Sequence, residues 1–132
     1  MTPVARRRGV VWWALLLDVA VVAAFTLGGA DAHERGAGDL ARIAWPFLAA
    51  LAITWVAGRL WRAPTPLWPT GMVVWVGTLG IGMALRALTG GGTAWTFVLV
   101  AAGLFAAGFL GWRLVVLVVR RATRPGSDRS RP

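Results

Sequence analysis

The chain has 132 residues, of which 58% are hydrophobic, and its formal net charge is +9 at neutral pH. One domain is expected at this length, and the apolar content is too high for an ordinary soluble domain. Cysteine is absent, which excludes disulfides, thiol catalysis and cysteine metal sites.

Four apolar stretches are each long enough to cross a bilayer core of about 30 Å, which takes roughly 20 helical residues. They cover approximately residues 10–28, 43–60, 71–88 and 95–119. Each is predicted to be an α-helix, because backbone groups in lipid must bond within their own segment. We therefore expect an all-α, integral membrane four-helix bundle at 10–119, preceded by a basic segment at 1–9 and followed by a disordered basic tail at 120–132.

The first predicted span carries an aspartate at its centre. Asp18 lies ten residues after Arg8, about 15 Å along a helix, which is near the bilayer midplane. An unpaired carboxylate costs at least roughly 2.5–3.5 kcal/mol at that depth, so Asp18 should be protonated, paired or open to water. Its helix face should point into the bundle. The residues that share this face are Ala14, Val21, Val22 and Phe25.

The same segment has an alternative interpretation. Three arginines, an apolar run and the sequence A-D-A at 30–32 are similar to a secretory signal peptide with its cleavage site. The length of the apolar run and the aspartate inside it favour a membrane span that is retained.

The loop after the first span concentrates polar residues. Asp31, His33, Glu34 and Asp39 lie close together in the sequence. Carboxylates and imidazole can bind a divalent metal, but this spacing matches no established ligand motif, so no metal site is predicted. A solvated loop is the simpler interpretation. His33 would then be the group that titrates near neutral pH, which leaves pH sensing open.

Three arginines are candidate partners for Asp18. Arg113 lies seven residues before Arg120, about 10 Å from the basic end of its helix, so its side chain can reach the level of Asp18. Arg86 and Arg59 lie nearer to the membrane surfaces, to which their side chains can extend instead. We therefore rank Arg113 first, then Arg86 and Arg59. The first, third and fourth helices are expected to enclose the pair.

Small residues on the last two spans are predicted to allow close helix contacts, within the chain or between copies of it. They are Gly77, Gly80, Gly82 and Ala84 in the third span and Gly103, Ala107 and Gly111 in the fourth.

The two halves of the chain share sequence features. The first and third spans both begin with V-V-W and end with threonine and glycines, while the second and fourth share A-W-x-F and a final W-R. A twofold repeat of helical hairpins would explain these matches, and so would chance in a biased composition. Asp18 has no counterpart, since the equivalent position is Ile81.

The distribution of arginine predicts the orientation of the helices. With the N-terminus in the cytoplasm, eleven arginines lie on the inner side: Arg6, Arg7, Arg8, Arg59, Arg62, Arg113, Arg120, Arg121, Arg124, Arg129 and Arg131. The outer side then holds only Arg35, Arg42 and Arg86. Both termini are therefore expected in the cytoplasm of a bacterial cell, with the arginines contacting anionic lipids of the inner leaflet. Nucleic acid is not an expected partner, because the arginines flank apolar runs.

A series of landmark residues extends along most of the chain: Asp18, Phe25, Gly28, His33, W-P-F at 45–47, Gly58, Trp75, G-M-A-L-R ending at Arg86, Phe97 and W-R at 112–113. Their order and spacing resemble the small prokaryotic membrane family catalogued as domain of unknown function 3054. The resemblance implies a four-helix membrane protein and supplies no substrate. It also marks Asp18, His33, Arg86 and Arg113 as residues to test.

Two functions from different classes fit these features. One is a small transporter or channel-like protein that uses Asp18 and the arginines to handle protons or a small anion. It would be a homo-oligomer, since four short helices enclose little room. The other is a non-catalytic structural or partner-binding membrane subunit, in which an ion pair fixes the packing. An enzyme is not expected and no cofactor is predicted, because the spans hold neither a nucleophile nor a metal-ligand set. Access of water to Asp18 distinguishes the two functions.

Overall fold

The computed structural model of the protein describes residues 2–29 and 36–126, and these residues form four long helices. The helices are α1 (Pro3–Gly29), α2 (Ala37–Ala57), α3 (Met72–Leu88) and α4 (Trp95–Ala122). α4 contains one wider, π-helical turn at Ala106–Leu110. No strand occurs in the described part of the chain, so the all-α prediction is confirmed.

Four segments are long and apolar enough to cross a membrane: Pro3–Gly28, Ala37–Ala57, Leu67–Leu88 and Trp95–Ala122. Each contains most of one predicted span, so the prediction of four helices that are long and apolar enough to span a membrane is confirmed. The helices differ from the predicted spans mainly at their ends. α1 already includes the arginines at 6–8, and α4 continues past residue 119 into the predicted basic tail. Residues 127–132 of that tail lie outside the described residues.

The outward-facing surfaces of the helices are strongly apolar. On α1 the side chains of Trp12, Trp13 and Leu16 are all exposed, and Val76 of α3 and Val115 of α4 are exposed as well. A soluble monomer rarely carries such extensive apolar surface, whereas lipid chains cover it without cost. The surface therefore supports the membrane-compatible character of the four segments.

The buried face of α1 follows the helical period. Ala14, Asp18, Val22 and Phe25 are buried at spacings of three or four residues, which confirms the predicted inward face. Beyond Asp18, towards the end of α1, the five phenylalanines of the chain form one aromatic cluster. The ring centroid of Phe25 lies 4.7 Å from that of Phe105 and 5.3 Å from that of Phe47, in tilted and edge-on arrangements. This cluster closes the core on one side of Asp18.

Three glycines allow helices to approach closely. A Cβ atom on Gly77 or Gly82 of α3 would overlap a side chain of α2, and one on Gly108 of α4 would overlap Val21 of α1. The prediction is thus confirmed for Gly77 and Gly82, and it missed Gly108. For contacts within the chain it is wrong at the remaining positions, which are open or exposed: Gly80, Ala84, Gly103, Ala107 and Gly111. A role of these positions between copies of the chain stays a prediction.

The connection from α2 to α3 is partly buried. α2 ends at Ala57 with Gly58 as its C-cap, and Arg59 adopts a left-handed conformation with φ 50° before a short turn at Leu60–Arg62. Pro64 follows and is buried, while the Thr70 hydroxyl donates a hydrogen bond of 2.7 Å to the Ala63 carbonyl. The two W-R dipeptides that suggested an internal repeat lie in different structures, residues 61–62 in this turn and residues 112–113 within α4.

Candidate functional site

Asp18 lies at the meeting point of α1, α2 and α4. Arg113 of α4 donates two parallel hydrogen bonds to its carboxylate, from Nη1 to Oδ1 and from Nη2 to Oδ2, each 2.9 Å long. The indole Nε1 of Trp55 donates to Oδ2 and that of Trp112 to Oδ1, each at 3.0 Å. A carboxylate has about four acceptor sites, and here the chain itself fills them all.

The guanidinium group of Arg113 is held on several sides. Besides Asp18, its Nε donates to the Pro64 carbonyl at 3.1 Å, and its Nη1 donates to the Phe109 carbonyl at 3.0 Å. The central carbon of the guanidinium lies 4.2 Å from the ring centroid of Trp112, a cation–π contact. The buried cation is therefore neutralised by one carboxylate and also bonded to the α2–α3 connection and to its own helix.

Both charged side chains are closed to solvent. Asp18 and Arg113 have 0% relative exposure, and Trp55 has 5%. One helical turn to either side of Asp18, Ala14 and Val22 are buried too. The ion pair is therefore dry in this structure. The attraction within such a pair is strong in apolar surroundings but must offset the desolvation of both charges. Breaking the pair is costly because one charge would remain buried without a partner.

Comparison with known proteins identifies a family. A family model described as "Protein of unknown function (DUF3054)" matches residues 15–116, which is most of the chain. The chain belongs to this family. The resemblance inferred from the sequence is thus confirmed, and the matched region includes both Asp18 and Arg113. Neither the curated proteins nor the solved structures gave a match.

The other predicted site residues of this DUF3054 chain lie away from Asp18. Arg86 donates from Nε to the Gly92 carbonyl at 2.7 Å, and its guanidinium carbon lies 4.3 Å from the ring centroid of Phe97. Arg59 is exposed in the α2–α3 connection. Of the three candidate arginines, Arg113, ranked first, therefore forms the pair. The first and fourth helices supply the charged pair as expected, and the second helix, which was not expected at the site, supplies the donor Trp55.

The polar loop of the DUF3054 chain contributes little to the described structure. His33, Asp31 and Glu34 lie outside the described residues. Within residues 2–29 and 36–126, no group of three or more acidic or histidine side chains is placed to hold a metal ion. Asp39, at the start of α2, lines a cavity of about 590 Å³ together with Arg42, Trp45 and Arg86. This cavity lies at the end of the bundle where α2 begins and α3 ends.

Sequence reasoning missed the two tryptophans of the DUF3054 site. Trp112 entered the sequence analysis only as part of the W-R landmark at 112–113, and Trp55 was not singled out. Both could have been found by excluding the other donor types. A buried carboxylate needs hydrogen-bond donors, and the chain has no lysine, asparagine, glutamine or tyrosine. The side-chain donors left in the spans are arginine, threonine and tryptophan. Arginine is charged and threonine also accepts hydrogen bonds, whereas tryptophan is a neutral donor that does not accept.

Proposed function

We propose that this DUF3054 protein is a non-catalytic, structural or partner-binding subunit of a membrane, in which the Asp18–Arg113 pair holds the helices in register. One observation carries the proposal: the chain's own donors fill every acceptor site of a carboxylate that has no exposed surface. A carboxylate that exchanges protons or binds a transported ion needs a free site or a path for water.

The geometry explains how one pair can fix the whole bundle. Asp18 belongs to α1, Trp55 to α2 and Arg113 to α4, while Pro64 lies in the connection between α2 and α3. Shifting any one of these segments by a helical turn would leave buried donors or acceptors without partners. We name Asp18, Arg113 and the two indoles of Trp55 and Trp112 the polar centre. The polar centre therefore disfavours alternative packings, a role for which buried ionic groups are known.

The proposal includes a location in the membrane. We place both termini in the cytoplasm of a bacterial cell, with the protein in the cytoplasmic membrane. The support is the arginine distribution together with the cavity where the start of α1, the α2–α3 connection and the end of α4 meet, which is lined by Arg6, Arg7, Arg62 and Arg120. Arginine is enriched on the cytoplasmic side of membrane proteins.

A transporter is the rival function, and it makes a different demand on the same site. Water or a substrate would have to reach Asp18, and the carboxylate would have to release Arg113 or one of the indoles. The dry, filled site favours packing over transport. A second copy of the chain or another membrane protein is the partner class that we propose, since the apolar outer faces and the open glycines of α3 and α4 offer it contact surface.

Replacing Asp18 by asparagine separates the two functions. In Asp18→Asn the charge of Arg113 loses its counter-ion, so we expect lower abundance in the membrane and a lower thermal unfolding midpoint. The matched control is Asp39→Asn, which removes an exposed carboxylate from α2. Vesicles that contain the wild-type protein should show no proton or chloride flux above that of empty vesicles. Normal abundance and stability of Asp18→Asn, together with a flux that the substitution abolishes, would establish transport instead.

A further inference from the structure

A cavity of about 630 Å³ lies at the end of the bundle where α1 begins and α4 ends. Four arginines line it: Arg6 and Arg7 from α1, Arg62 from the α2–α3 connection and Arg120 from α4. None of the described residues that line this cavity is acidic. We name it the basic cavity.

The charges around the basic cavity have no counter-ion of their own within the described chain. The only ion pair formed among residues 2–29 and 36–126 is that of Asp18 and Arg113. Four guanidinium groups that share one cavity repel each other, and a bound anion would remove this repulsion. Guanidinium groups bind phosphate through paired, charge-assisted hydrogen bonds. We propose that the basic cavity binds a phosphate group, which belongs either to a lipid headgroup or to a soluble phosphate.

The remaining walls of the basic cavity suit a lipid source. Val10 and Val11 line it where α1 passes from its arginines into its apolar part, and the half-exposed indole of Trp61 borders it. Indole rings favour the headgroup zone of a membrane, and basic pockets between spans at the cytoplasmic side bind the headgroups of anionic lipids. Acyl chains could continue along the valines, whereas a soluble phosphate would gain nothing from them.

The basic cavity also adjoins the polar centre. Pro64 lines the cavity, and its carbonyl oxygen accepts the hydrogen bond from Arg113 Nε. A phosphate that bridges Arg62 and Arg120 would tie the α2–α3 connection to the end of α4. Binding should therefore raise the thermal unfolding midpoint of the protein. This inference uses the proposed orientation but does not depend on the choice between a packing and a transport role, since it would hold for a transporter as well.

The test compares two double variants that lose the same charge at the same end of the bundle. Arg62→Gln with Arg120→Gln removes half of the cavity arginines, whereas Arg121→Gln with Arg124→Gln removes exposed arginines that do not line it. The purified full chain in detergent is titrated with phosphatidylglycerol, and native mass spectrometry counts the bound lipid. We expect the cavity variant to bind more weakly by roughly fivefold for each arginine removed. The control variant should bind about as tightly as the wild type.

A competition arm identifies the source of the phosphate. Inorganic phosphate that displaces the lipid at similar concentrations would indicate a soluble phosphate, while failure to displace it would indicate a lipid headgroup. Equal weakening in both double variants would overturn the proposal, because it would mean diffuse attraction by the basic end. Should the cavity variant fail to fold, the single variants Arg7→Gln and Arg8→Gln provide a second comparison, since of these two residues only Arg7 lines the cavity. Equal binding by these two variants would overturn it too.

Discussion

Asp18 shows how an apolar helix can keep a carboxylate at its centre. The two oxygens accept hydrogen bonds from Arg113 and from two indoles, so the desolvated charge is both neutralised and fully hydrogen-bonded. A buried ion pair alone often only breaks even against its desolvation. The indoles make the buried pair more favourable, because each donates a hydrogen bond to the carboxylate. Burying the rest of the indole is not costly, since the ring is apolar.

The indole donors can be removed by substitutions that keep an aromatic ring at each position. In Trp55→Phe or Trp112→Phe, one carboxylate oxygen of Asp18 loses a donor in a dry site. We expect each substitution to lower the free energy of unfolding by about 1–3 kcal/mol. Thermal unfolding in detergent, followed by circular dichroism, measures the loss. Trp95→Phe is the control, since this side chain is exposed and should give a change near zero. Equal midpoints for all three variants would contradict the assigned hydrogen bonds.

Part of the site could be predicted from the sequence at this scale. The depth of Asp18 follows from residue counting, and its inward face follows from the helical period of Ala14, Val22 and Phe25. The position of Arg113 within its span made it the first candidate among three arginines. Trp55 was not predictable in the same way, because residues 43–57 of α2 include no charged side chain that would mark one face of the helix as inward.

At the scale of elements, α2 and α3 pack through small residues on α3. The Cβ atom of an alanine at position 82 would overlap the ring of Phe47, and one at position 77 would overlap Thr54. Sequence spacing predicted a small-residue face on α3 but could not separate these positions from Gly80. The distinction depends on the rotation of α3 relative to α2, which the side chains of both helices determine together.

Two substitutions on α3 test this contact. Gly82→Ala should lower the free energy of unfolding by about 1–3 kcal/mol, because the buried ring of Phe47 or the helix must move. Gly80→Ala introduces the same methyl group into open space and should be neutral or stabilising, by up to about 1 kcal/mol, since alanine favours the helix over glycine. Denaturation of both variants in detergent measures the difference. The reverse order of stability would show that the α2–α3 packing is wrong.

At the scale of the whole molecule, the four spans were predictable and their meeting point was not. Span length and hydropathy are properties of consecutive residues, so they can be determined directly from the sequence. The polar centre instead joins Asp18 to Arg113 across 95 positions of sequence and to Trp55 across 37. Only the packing of α1 between α2 and α4 brings these donors to one carboxylate.

The proposed orientation is also a property of the whole molecule, and the chain is well suited to test it. The protein has no cysteine, so single cysteines can be introduced without further changes. We expect a membrane-impermeant maleimide to label Thr93→Cys in intact cells, because the α3–α4 connection is assigned to the outer side. Gly126→Cys should react only after the membrane is permeabilised. Both positions are exposed. The opposite labelling pattern would reverse the orientation.

The central claim is that Asp18 and Arg113 act together to hold the bundle, and a double-mutant cycle on the free energy of unfolding tests it most directly. Asp18→Leu and Arg113→Met should each cost about 3–5 kcal/mol, because each leaves one charge buried without a partner. The double variant removes both charges, and we expect it to be more stable than either single variant. Its remaining deficit reflects the two indoles and the Pro64 carbonyl, which lose their partners. Losses that simply add in the double variant, or single variants as stable as the wild type, would contradict the claim.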